Sequence, residues 1–150
     1  MLRRIGQKQR DVVPDGFQFV ACAIDLNVSH AMTYSMVAFK RDMTAVVMHH
    51  GIKKTRIDLK LNDTDYNRKV YDKLAELLRE VKSIGIHIDG VGIDAGGRNW
   101  QAVCDFCSNS MQLVGIPCCA MAGKASHMFN PYVRSRLRDA IGRTVLCGDS

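Results

Sequence analysis

An α/β fold built on one mixed sheet is what this sequence predicts, and three observations carry the prediction. Three apolar runs rich in strand-forming residues, FVACAIDLN, TYSMVAF and AVVMHH, are separated only by short polar links of the kind that close antiparallel hairpins. A long amphipathic segment follows, in which Val70, Leu74, Leu77, Leu78 and Val81 recur at the spacing of one helical face. After it, apolar runs alternate with helical periodicity, giving the order strand, strand, strand, helix, strand, helix, strand. In that order a right-handed helical crossover returns the fourth strand parallel to the first.

The first strand is expected over Phe17 to Leu26, the second over Thr33 to Phe39 and the third over Ala45 to His50. The polar stretch KKTRIDLKLNDTD leads into the helix, with Asp63 or Thr64 as its cap and Gly85 as its end. Val91 to Ala95 is the fourth strand, Gly96 and Gly97 a turn, and Asn99 to Ser108 the second helix. The apolar run Leu113 to Met121 is the fifth strand, with Pro117 arguing for an edge position or a bulge. A basic segment, Arg134 to Arg143, and a last short strand, Thr144 to Cys147, complete the order.

Composition bounds the function classes. At 150 residues the chain has room for one domain with a substantial core, and 47% hydrophobic with 24% charged residues describes an ordinary globular protein. No apolar run approaches the roughly 20 residues of a membrane span. Residues 1–16, MLRRIGQKQRDVVPDG, are basic but lack the apolar core of a secretory signal, so they read as a linker or arm ahead of a domain over residues 17–150. The formal charge of +6 favours a polyanionic partner. With no export signal, the six cysteines read as reduced thiols. Cys104 and Cys107 form a CxxC and Cys118 and Cys119 are adjacent, but the spacing fits no standard zinc module and core packing is the preferred reading.

Two acids stand out. Asp25 ends the first apolar strand and Asp94 ends the fourth. A carboxylate near the end of a buried strand is costly unless solvated, hydrogen-bonded or bound to a cation. Adjacent strands lie about 4.8 Å apart, so the proposed topology would let the two acids meet at the sheet's carboxyl end. Each acid alone also suits turn chemistry, Asp94 especially, since Ala-Gly-Gly follows it.

The segments IDLNVSHAMTYSMVAF, GVGIDAGGRNWQAVCDFC and AMAGKAS resemble the nuclease domain of phage terminase large subunits, nearest the lambda-type group, within the ribonuclease H-like fold. The resemblance runs in order from Ala21 to Asp149. It implies a metal-dependent DNA endonuclease that hydrolyses phosphodiester bonds with two Mg²⁺ or Mn²⁺ ions, Asp25 bridging them and Asp94 as the second ligand. Such sites carry a third acid on a helix near the carboxyl end. The chain stops at Ser150 before such a helix could form, so the domain is expected to lack it. Asp149 is the candidate left for that place, although in the lambda-type group an aspartate at that point precedes the third ligand. The implied partners are double-stranded DNA and, in an assembled packaging machine, an ATPase motor, a small terminase subunit and a portal, with no membrane. The implied location is the cytoplasm of a phage or prophage host, without secretion.

Lys124 could contact a DNA phosphate or be an ordinary surface lysine. Its loop, Gly123-Lys124-Ala125-Ser126, is no P-loop, because Cys118 stands where the leading glycine belongs. Arg134, Arg136, Arg138 and Arg143 form a basic stripe suited either to a duplex backbone or to solvent. His49 and His50 end the third strand, where packing plus solvent is preferred over proton shuttling. Two other functions stay open: a non-catalytic DNA-binding or assembly remnant of the same fold, and a resolvase or transposase-type nuclease.

Overall fold

The computed structural model describes residues 9–123, 134–138 and 143–149. Its centre is a seven-stranded sheet of order β3-β2-β1-β4-β5-β7-β6, built from β1 (Phe19–Asn27), β2 (Ala31–Phe39), β3 (Ala45–Lys54), β4 (Gly90–Asp94), β5 (Cys118–Gly123), β6 (Arg134–Arg138) and β7 (Arg143–Asp149). β1, β2 and β3 are antiparallel neighbours, whereas β4 lies parallel to β1, β5 to β4 and β7 to β5. Helix α1 (Asp63–Lys82) joins β3 to β4, and α2 (Trp100–Val114) joins β4 to β5. This is the ribonuclease H-like mixed sheet expected from the sequence.

Helix α1 forms because its apolar residues repeat on one face: Tyr66, Val70, Leu74, Leu77, Leu78 and Val81 are all buried, and acids in its first turn and bases in its last suit the helix dipole. Its cap is Asn62, not Asp63 or Thr64. The Asn62 side chain accepts a hydrogen bond from the Asp65 backbone N–H at 2.8 Å, which places Asp63 one residue inside the helix. Helix α2 runs six residues past the expected end at Ser108. Its stop is Gly115, at φ 70°, whose N–H closes back on the Ser110 and Met111 carbonyls. Leu113 and Val114 are therefore the last turn of a helix, and β5 begins only at Cys118. Pro117 sits just before β5, so a proline there does not exclude a strand with neighbours on both sides.

β3 extends four residues beyond His50, to Lys54, beside a β2 that opens at Ala31. Residues 9 to 11 run along its outer edge. Arg10 N–H donates to the Met48 carbonyl at 2.9 Å, Gln9 makes a pair of side-chain bonds to the His50 backbone, and His49 Nε2 meets Asp11 Oδ1 at 2.9 Å. An otherwise open strand edge is thereby partly covered.

The core lies on one side of the sheet. Val20, Cys22, Ile24 and Leu26 of β1, Val91 and Ile93 of β4, and Cys118 and Ala120 of β5 are buried together with the inner faces of α1 and α2. Phe106 of α2 is fully buried and meets the Tyr71 ring of α1 edge-on, with centroids 5.5 Å apart. Cys104 and Cys107 belong to this core, as the helical spacing of the CxxC anticipates, and no disulfide joins the described cysteines. Burial pushes the Cys22 and Cys118 thiols up to about 12, and it raises Cys107 as well.

Candidate metal centre at the carboxyl ends of β1 and β4

The two acids singled out in the sequence are neighbours. In the parallel β1–β4 pair Ile24 lies opposite Ile93, both buried on the helix-covered side. Because side chains alternate along a strand, the next residue on each chain turns to the other face. Those residues are Asp25 and Asp94, and both are exposed. They share one face on adjacent strands about 4.8 Å apart.

The register fixes what surrounds them. Asp25 lies opposite Thr33 of β2, which lies opposite Ile52 of β3, while Asp94 lies opposite Met121 of β5. The row across the open face thus reads Ile52, Thr33, Asp25, Asp94, Met121. Gly92 lies beside it, with Met121 Sδ over the position a Cβ would take, so a larger residue there would make the methionine side chain shift.

Asp94 is oriented by its own turn. Its Oδ1 accepts a hydrogen bond from the Gly96 N–H at 3.2 Å, leaving Oδ2 for another partner, and Gly97 follows at φ 60°. Turn chemistry and ligand chemistry are therefore compatible at this residue. Asp25 makes no hydrogen bond or ion pair among the described residues.

The turn is held from outside by residues that sequence reasoning passed over. Arg98 donates to the Leu59 carbonyl at 2.7 Å, to the Leu61 carbonyl at 2.6 Å and to Asp63 Oδ1 at 3.0 Å, and its guanidinium lies 3.9 Å from the centre of the Tyr66 ring. The Tyr66 hydroxyl in turn donates to Asn99 Oδ1 at 2.6 Å. These bonds tie the β4–α2 turn to the start of α1. The signal in the sequence was an arginine placed directly after a flexible Gly-Gly, but its partners lie more than thirty residues away.

Two exposed carboxylates on one face suit a hard divalent cation, since Mg²⁺ is commonly held by one or two carboxylates with water and substrate phosphate completing its shell. Among the described residues no cluster of three or more His, Cys, Asp or Glu side chains is arranged to hold a metal. Asp149 ends β7, four residues beyond Val145, which pairs with Met121 in the Asp94 row. At about 3.3 Å per residue the backbone there is roughly 13 Å farther along the sheet, so the register does not bring it to the pair. Arg134, Arg136 and Arg138 lie on β6, the edge strand at the far end of the sheet, and Arg143 opens β7. Lys124 lies outside the described residues. Of the histidines, His49 is buried and turned to Asp11, and His50 is two strands from Asp25 in the row of Ser35 and Ala23.

The family model for the endonuclease domain of the terminase large subunit gpA matches residues 1–144. The chain belongs to that family. No curated protein matches this terminase-family chain significantly. Among solved structures it is similar to a Ppx/GppA family member from Aquifex aeolicus, at 15% identity and TM-score 0.43, covering 68% of this chain and 34% of that one. It is also similar to RuvC from Thermus thermophilus, at 16% identity and TM-score 0.41, covering 68% and 63%. The large terminase of a thermophilic bacteriophage matches at 14% identity and TM-score 0.41, covering 72% and 24%. The terminase-family chain spans about a third of the Aquifex protein's length and less than two thirds of the RuvC chain. At TM-scores of this size none of the three bears on activity.

Proposed function

We propose that this chain is a divalent-metal-dependent DNA endonuclease of a viral packaging terminase, with Asp25 and Asp94 as the ligands it contributes to a two-ion site. The observation that carries this reading is the juxtaposition of the two carboxylates on the open face, one on β1 and one on β4, in a member of the terminase endonuclease family. Bound Mg²⁺ or Mn²⁺ would supply an activated water and stabilise the leaving oxygen. Asp25, with no competing bond among the described residues, is suited to bridge. Asp94 presents Oδ2 while the Gly96 N–H holds Oδ1, and the Arg98 anchorage keeps that turn in place. Lys124 and the β6 arginines Arg134, Arg136 and Arg138 are proposed to contact DNA, whereas Asp149 stands too far along β7 to complete the pair as a third acid.

The setting proposed for this activity is the host cytoplasm, acting on double-stranded DNA alongside an ATPase motor, a small terminase subunit and a portal. Residues 1–16 would serve as the linker toward the motor, and the docking of residues 9 to 11 on β3 gives such a linker a fixed exit. No helix among the described residues is long and apolar enough to cross a membrane.

The competing reading is a non-catalytic DNA-binding or assembly remnant of the same fold. The test is Mn²⁺-dependent nicking of supercoiled plasmid. Nicking that disappears in Asp25→Asn supports the enzyme, and salt-sensitive binding without nicking supports the remnant. Cleavage restricted to four-way junctions would point to a resolvase.

A further inference from the structure

We propose that Lys54 and Arg56 form a phosphate-backbone contact for DNA on the open face, beside the carboxylate pair; this rests on the DNA-directed reading above. The strand itself sorts the cations. Lys53 turns toward α1, where Glu76 lies at 3.6 Å and Glu80 is hydrogen-bonded to it. Lys54, one residue on, turns to the opposite face and is exposed. It lies opposite Ala31, which belongs to the same row as Asn27, one step past the row of Asp25 and Thr33. Two strands across and one row up place its backbone about 12 Å from that of Asp25.

Arg56 is presented by a different device. Its φ is 52°, a left-handed conformation that a long side chain rarely adopts. Both neighbours are buried, and both are stitched to the turn between β1 and β2. Thr55 Oγ1 donates to the Val28 carbonyl at 2.7 Å, Thr55 N–H to the His30 carbonyl at 3.1 Å and Ile57 N–H to the Val28 carbonyl at 2.9 Å. The in-and-out alternation of β3 thus carries on past its end, with Thr55 and Ile57 buried and Arg56 exposed. Arg56 holds its left-handed backbone between these two anchored neighbours, and strained backbone of this sort is a recurring feature of binding sites.

Neither cation makes an ion pair among the described residues, whereas Lys53, Arg68, Lys73 and Arg98 each face a carboxylate. Two unneutralised cations, Lys54 on the face of the acids with its backbone about 12 Å from that of Asp25 and Arg56 two residues further along the chain, match the charge of a substrate strand whose reacting phosphate sits at the acids. Phosphates repeat along each strand about every 3.4 Å of duplex axis, so a backbone crossing Asp25 passes Lys54 within a few nucleotides. An acidic protein segment is the competing occupant, and its acids would have no reason to align with the carboxylate pair.

The test uses Lys54→Ala combined with Arg56→Gly. Glycine takes the left-handed backbone without strain, so the fold is kept, and an unchanged melting temperature verifies it. Binding of a short duplex is followed by fluorescence anisotropy across a salt series in Ca²⁺, which avoids reliance on cutting. The expected result is about tenfold weaker binding at low salt and a salt dependence of log K reduced by about 2, one for each lost phosphate contact. Lys69→Ala with Arg79→Ala, on the exposed side of α1, serves as the control and should leave the slope unchanged. A slope and affinity equal to wild type in the first pair overturns the proposal, as does the absence of duplex binding by the wild-type chain. Because the readout is binding, a wild type that binds but never nicks would defeat the enzyme reading and leave this one standing.

Discussion

The two faces of one sheet follow opposite rules, and β1 shows both within nine residues. On the helix side, Val20, Cys22, Ile24 and Leu26 are each less than a tenth exposed, packed against α1 and α2. On the other side the same strand carries Phe19, Ala23, Asp25 and Asn27, all exposed. Across the helix face the residues are interchangeable in kind, since any apolar side chain of the right volume would serve. Across the open face, by contrast, exposed apolar residues such as Phe19, Ile52 and Met121 mix with small, polar and charged ones, and the row from Ile52 to Met121 has two carboxylates at its centre. The helix face holds the strands in register, and the register is what brings Asp25 beside Asp94.

That division can be broken from either side. The largest effect should come from the open face: Asp25→Asn or Asp94→Asn is expected to lower plasmid nicking by about three orders of magnitude, since metal-held charge stabilisation contributes several kcal/mol and each tenfold is about 1.4 kcal/mol. Urea denaturation of the same variants should move by less than about 0.5 kcal/mol, because both side chains are exposed. Phe106→Ala should do the reverse, costing about 3 to 5 kcal/mol of stability by leaving a cavity between α1 and α2. A Phe106 variant that unfolds no more easily than wild type would mean that the helix face is not the organising core.

Arg98 sharpens the comparison, since it lies at the junction of the two regions. Arg98→Ala should cost about 1 to 2 kcal/mol, discounted for its partial exposure, and Arg98→Lys should recover less than half, because lysine cannot reach two carbonyls and a carboxylate at once. The remaining effect is a pH dependence. The Cys22 and Cys118 thiols, raised to about 12 by burial, stay protonated in the folded chain, while in the unfolded chain they ionise near 9. Stability from these groups is complete below pH 9 and is lost as pH rises from there toward 12. Urea midpoints measured from pH 8 to 10.5 should therefore fall, and should fall less in Cys22→Ala when each is compared with its own value at pH 8.

Much of this architecture was legible from spacing alone. The strand and helix order through β5, the buried face of α1 and the placement of Asp25 and Asp94 at strand ends all follow from periods of 2 and 3.6 residues, which local sequence records, whereas the basic run that holds strand β6 carries no apolar alternation to announce it. What local sequence does not record is where a period stops. The run from Leu113 to Met121 is apolar throughout, and only the left-handed Gly115 divides helix from strand. The extension of β3 to Lys54 was hidden because Lys53 and Lys54 are polar on both faces, one satisfied by α1 and the other by solvent. Arg98 and Arg56 were passed over for a related reason: their roles depend on carbonyls and turns brought near by the fold. The docking of residues 9 to 11 on β3 is likewise a tertiary event with no periodic trace.

Mn²⁺ binding followed by electron paramagnetic resonance tests the carboxylate pair most directly, without DNA and without turnover. The account predicts saturable binding by the wild-type chain that is weakened to a similar extent by Asp25→Asn and by Asp94→Asn, with the double variant little worse than either single one. Binding that survives both substitutions unchanged, or that responds to only one of them, would contradict a shared site.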